Sequence, residues 1–146
     1  MATVELRFSA LPEHVRTARL VAAAVARRAG VDEAVLDEVR LAVGEACSRA
    51  VGLHQSAGIT APVKVQLVEE EKQFSIEVGD EAPRSAPGER APGAAGDDGD
   101  VEAEEDEMGL AVISGLVDDV EVSAGEHGGL IRMTWPTTPP PTAVLT

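Results

Sequence analysis

Two apolar stripes with helical spacing follow one another between residues 12 and 54, and they constrain the fold of this 146-residue chain more than any other feature. Val15, Ala18, Ala22, Val25 and Ala29 form the first; Leu36, Val39, Val43, Cys47 and Ala50 form the second. At about 100° per residue, each set falls on one side of an α-helix and has to be buried. Pro12 and Glu13 suit the start of the first helix and Gly30 its end. The spacing predicts helices over 12–30 and about 35–54.

What these helices pack against is written on either side of them. "TVELRFS" (3–9) alternates Val4, Leu6 and Phe8 with Thr3, Glu5 and Arg7, the period of a half-buried strand. Residues 63–69 and 73–79 read as two strands joined by a tight charged turn, and 119–135 as a hairpin around a Gly-rich turn. "MGLAVISGLVD" reads as a short apolar helix. The order β-α-α-β-β-loop-α-β-β predicts an α+β fold, a two-layer sandwich with helices on one face of an antiparallel sheet. With two Phe, one Trp and no Tyr, the core has to be built from Val, Leu, Ile and Ala.

Charge is unevenly placed. The chain carries a net −14, of which −9 lies between Asp80 and Glu107, where eleven acidic residues meet two arginines. Such a field repels phosphates and argues against direct nucleic-acid binding. Residues 81–107 also lack periodicity and are rich in Pro, Gly and Ala, the composition of a mobile or disordered loop. The Pro-rich tail at 137–146 suits neither a helix nor a central strand. No apolar run reaches the roughly 20 residues of a membrane helix, no signal peptide is visible, and the lone Cys47 fits a reducing compartment, so the sequence predicts a cytoplasmic protein without membrane attachment. His14, His54 and His127 do not cluster with Cys47 at metal-ligand spacing.

Two helix faces carry charge that the core does not explain. On the second helix, Glu38, Glu45 and Arg49 lie opposite the apolar stripe. Glu45 and Arg49 are one turn apart, and the simplest reading is a surface ion pair worth about 0.3–0.5 kcal/mol. On the first helix, Arg16, Arg19 and Arg27 fall within roughly 80° beside the core stripe. A basic stripe on an acidic protein is either a solvated face or a docking surface for an acidic partner.

The blocks "LRFSALPEHVRTARLVAAAV", "LDEVRLAVGEACSRAV", "FSIEVGDEA" and "MGLAVISGLVDDVEVS", in this order and spacing, resemble the bacterial anti-sigma factor serine kinases, members of the Bergerat-fold (GHKL, histidine-kinase-like) ATPases. The resemblance covers nearly all of residues 3–135. It implies a single Bergerat-like domain over 1–136, with the acidic loop at about 81–107 in place of the family's ATP lid.

In that family the second helix carries Glu-Ala-x-x-Asn-Ala, the glutamate as general base and the asparagine as a magnesium ligand. Glu45, Ala46 and Ala50 match, whereas Arg49 stands at the asparagine position. In the Asp-x-Gly-x-Gly box that reads adenine, Asp80 is kept, and Ala82 and Arg84 replace the glycines. In the last Gly-x-Gly box, Gly109 is kept and Glu107 replaces its partner. His54 falls one residue past the family's nucleotide-side histidine. The resemblance thus implies Glu45 as catalytic residue, Asp80, Gly109 and Arg49 as nucleotide contacts, and ATP or ADP as ligand. A guanidinium has no lone pair for a metal, so Arg49 argues against magnesium.

The resemblance further implies a partner-switching regulator that binds a sigma factor, a STAS-type anti-anti-sigma protein, or both, and it implies a homodimer. Arg19 occupies the position of the family's partner-contacting arginine, with Arg16 beside it. For the nucleotide site, three readings stay open: nucleotide binding without appreciable turnover, no useful nucleotide binding, and an active serine kinase that phosphorylates a STAS-type protein.

Overall fold

The structure, a computed structural model, describes residues 2–82 and 110–137. Within these, β1 (Ala2–Phe8), α1 (Glu13–Ala29), α2 (Leu36–Ser56), β2 (Val63–Glu69), β3 (Gln73–Asp80), β4 (Asp119–Gly125) and β5 (Gly128–Pro136) follow in the expected order. A short 3-10 turn at Glu33–Val35 leads into α2, and residues 110–116 are helical. The acidic loop beyond Ala82, Gly109 and the tail from residue 138 lie outside the described residues.

All strand pairs are antiparallel, in the order β1-β2-β3-β5-β4. The alternation sorts the two faces. Val4, Leu67, Ile76, Met133 and Val120 are in register across the sheet, and Leu67, Ile76 and Met133 are fully buried beneath the helices. One residue over, Glu5, Gln66, Glu77, Arg132 and Glu121 line the opposite face. There Lys64 meets Glu5 at 3.3 Å and Arg132 lies between Glu70 and Glu77. An antiparallel sheet with one covered and one polar face needs only one helical layer, which is why the two-layer expectation holds.

Both helices bury the stripes read from the sequence. Leu36, Val39, Val43, Cys47 and Ala50 are each at most 2% exposed, and in α1 only Ala29 falls short of full burial. Alanines on both helices, among them Ala22, Ala26, Ala42 and Ala46, are fully buried, and such small side chains suit a close helix pair. α1 ends at Gly30, where the N–H groups of Gly30 and Val31 bond the carbonyls of Arg27 and Ala26, the paired closing bonds of a Schellman stop. Arg28 then ties this end of α1 to β2 through Glu69 Oε1 at 3.0 Å. The indole of Trp135 donates to the carbonyl of Leu116 at 3.2 Å and so seats the 110–116 helix on the end of β5.

Candidate functional site

The polar face of α2 opens onto a cleft of about 340 Å³ between α1, α2 and the 110–116 helix. Arg19 enters it from α1, Glu45 and Ser48 from α2, and Val15, Leu41, Val112 and Leu116 supply apolar walls. Gly44 forms part of the floor. A Cβ at that position would stand 3.0 Å from Arg19 Cδ and 3.5 Å from its Cγ, so the arginine stem lies directly on the α2 backbone. The structure therefore brings together two residues that the sequence placed on separate helices, Arg19 and Glu45.

The Glu45–Arg49 ion pair expected from the i,i+4 spacing is not among the ion pairs of the described residues. Glu45 is exposed and lines the cleft, whereas Arg49 is half-buried and has interactions of its own.

The arginines of α1 also divide. Arg27 meets Glu33 at 3.6 Å and Arg28 meets Glu69, while Arg7, Arg40 and Arg132 each have a carboxylate within 4.0 Å. Arg16 and Arg19 are exposed and have no ion pair among the described residues.

Asp80 closes β3 and is 6% exposed. Its Oδ1 accepts the N–H of Ala82 at 3.0 Å, and Ala82 is itself buried. Two further residues hold this corner. His54, fully buried in the last turns of α2, donates through Nδ1 to the carbonyl of Ala61 at 2.9 Å. With that proton assigned, Nε2 is the bare nitrogen, and it accepts the N–H of Glu81 at 2.9 Å. Gly128 stands across from Asp80 at φ +119°, where any Cβ would collide with the Asp80 carbonyl oxygen and the Glu81 backbone.

A model of the histidine kinase-like ATPase domain matches residues 8–135. The chain belongs to that family. A crystal structure of the RsbU and RsbW domains of Rv1364c from Mycobacterium tuberculosis superimposes on it with a TM-score of 0.68 at 15% identity. The match covers 94% of this chain and 32% of that one, so the chain spans under a third of its relative, and the likeness is one of fold. No curated protein sequence matches the chain significantly.

Arg49 stands in α2 at the position that the resemblance assigns to a metal-ligating asparagine. Arg49 offers only donors where a metal ligand has to offer a lone pair. Among the described residues, no group of three His, Cys, Asp or Glu side chains could hold a metal ion. At the end of β3, the buried Ala82 occupies a position that the resemblance assigns to glycine, and its N–H takes Asp80 Oδ1. Among the described residues, no helix is long and apolar enough to cross a membrane.

The sequence reading did not single out Gly44 or Gly128, and it took His54 as a helix-terminal residue. Gly44 carried only a weak signal, a glycine inside a strongly periodic helix, which it shares with Gly52, where nothing lies within 4 Å of a Cβ. His54 stood beside the family's histidine position and Gly128 in the Gly-rich turn, but neither pattern disclosed its contact, because each acts on a segment distant in the chain.

Proposed function

We propose that this chain is a partner-switching regulator of the anti-sigma-factor kind. It docks a sigma factor, a STAS-type anti-anti-sigma protein, or both, through α1 and the adjoining cleft, and its kinase chemistry is impaired. One observation carries this reading: Arg19, the position that the resemblance assigns to partner contact, and Arg16 beside it are exposed without an ion pair among the described residues, while Arg27 and Arg28 are engaged within the domain. An exposed cation without an ion pair in its own domain is available to a partner. Arg19 also opens onto apolar walls, the combination found at the centre of protein interfaces.

The test is direct binding of purified STAS-domain proteins and sigma factors to the wild-type chain and to Arg19→Glu, with Arg28→Gln as control. A reversal at Arg28 is a poor control, because it would set two carboxylates together at Glu69. Arg19→Glu is expected to weaken the complex at least tenfold, about 1.4 kcal/mol, and Arg28→Gln to leave it within twofold. Equal losses from both would remove α1 as the docking face.

The second reading, an active serine kinase acting on a STAS-type protein, is favoured by Glu45, a carboxylate exposed in a cleft and therefore accessible to a substrate hydroxyl. It requires phosphate incorporation into the STAS protein that is lost in Glu45→Ala.

A further inference from the structure

We infer that Arg19 and Glu45 are opposite poles of a single docking cleft, which takes a partner helix carrying a carboxylate and a basic side chain about one turn apart, with an apolar side chain between them. The inference rests on the reading that this face docks a protein, and it assigns Glu45 to partner binding independent of any nucleotide.

Both residues line the same cleft and both are exposed, yet they make no ion pair with each other or with any other described residue. Opposite charges that share a cleft without neutralising one another leave it bipolar. An occupant bearing only negative charge would satisfy Arg19 and be repelled by Glu45, and one bearing only positive charge would meet the reverse. A segment with both charges satisfies both poles.

The cleft sets apolar surface beside its two charges. Gly44 immediately precedes Glu45 and presents backbone rather than side chain, with the Arg19 stem laid across it. Leu41 on α2 is 53% exposed and Val112 on the 110–116 helix 43% exposed, and both line the cleft. Apolar side chains left this open beside two charges match the groove that receives an amphipathic helix. On such a helix, residues three or four apart share one face, so a carboxylate and a basic side chain can be presented together. The charge order also gives direction, since an insertion with the helix reversed would bring like charges together.

The experiment uses whichever purified STAS-domain protein or sigma factor the wild-type chain binds in the assay above, with no nucleotide and with EDTA present. Dissociation constants are measured for Arg19→Glu, Glu45→Gln, Glu45→Lys and Leu41→Ser, with circular dichroism to confirm that each variant folds. The inference expects Glu45→Lys to weaken the complex at least tenfold, Glu45→Gln severalfold, and Leu41→Ser severalfold. If both Glu45 variants bind as wild type while Arg19→Glu loses binding, α1 remains the docking face and the two-pole cleft is wrong. If neither Arg19→Glu nor the Glu45 variants change binding, the docking reading falls together with the inference.

Discussion

The imidazole of His54 joins the carbonyl of Ala61 to the amide of Glu81, 2.9 Å on each side, and so ties the end of α2 to the end of β3. The ring has no exposed surface, and both nitrogens are satisfied. It sets where the chain leaves the sheet after Asp80, which makes it a structural determinant of the corner that the family resemblance assigns to nucleotide.

His54→Ala removes a buried ring and orphans two backbone groups. The expected loss of stability is about 2–4 kcal/mol, on the order of 10 °C in melting temperature for a chain of this size. Gln55→Ala, next in sequence but exposed, with only a 3.4 Å bond to the Ala10 carbonyl, is expected to stay within about 0.5 kcal/mol. Urea unfolding of the two variants decides this, and similar losses would mean that His54 is an ordinary helix-end residue.

Cys47 is fully buried, and burial pushes its thiol from an ordinary value of 9.0 up to about 12. The folded chain therefore holds this proton at a pH where the unfolded chain has released it. The resulting stability is fully present below about pH 9 and is lost as pH rises from there towards 12. Between pH 7.5 and pH 10 the loss from this group is about 1.4 kcal/mol. Wild type should lose that much more than Cys47→Ala over the same range in denaturant titrations. A native thiol that reacts with a disulfide reagent at pH 8 as fast as the unfolded one would overturn the assignment.

Gly44 sits inside a 21-residue helix, where glycine costs about 1 kcal/mol relative to alanine. Its Cβ position is within 3.0 Å of Arg19 Cδ, so alanine would push the arginine stem by a few tenths of an ångström. Gly44→Ala is expected to raise stability by about 0.5–1 kcal/mol and to weaken the partner complex roughly fivefold. Opposite signs in the two measurements would mark a glycine kept for binding. A stabilised variant with unchanged affinity would show that Arg19 does not need this seat.

These residues also mark how far the sequence could be read. Periodicity identifies the buried side of a helix from its own residues, so the α2 stripe from Leu36 to Ala50 and the strand alternation around Ile76 were legible. Periodicity leaves open which neighbour faces the other side. The sequence placed Glu45 and Arg19 each off the core, but their meeting in one cleft depends on how α1 crosses α2 and on where the 110–116 helix docks. The i,i+4 spacing allows a Glu45–Arg49 pair, which is not among the ion pairs of the described residues, because spacing along one helix takes no account of the elements beside it. The contacts of His54 with Glu81 and of Gly128 with Asp80 link segments 27 and 48 residues apart, beyond the reach of local pattern.

Arg49 bears on whether the domain keeps nucleotide chemistry. An amide oxygen can ligate magnesium and a guanidinium cannot, so ATP binding to the wild-type chain should tighten less than twofold when magnesium is added to a solution containing EDTA-treated protein. Arg49→Asn supplies the missing lone pair and should make any ATP binding magnesium-dependent, at least tenfold tighter with the metal present, about 1.4 kcal/mol. Calorimetric titrations of both proteins with ATP, with and without magnesium, separate the cases. Tenfold tightening by magnesium in the wild-type chain would show that another group holds the metal, and the kinase reading would then take precedence over the docking one.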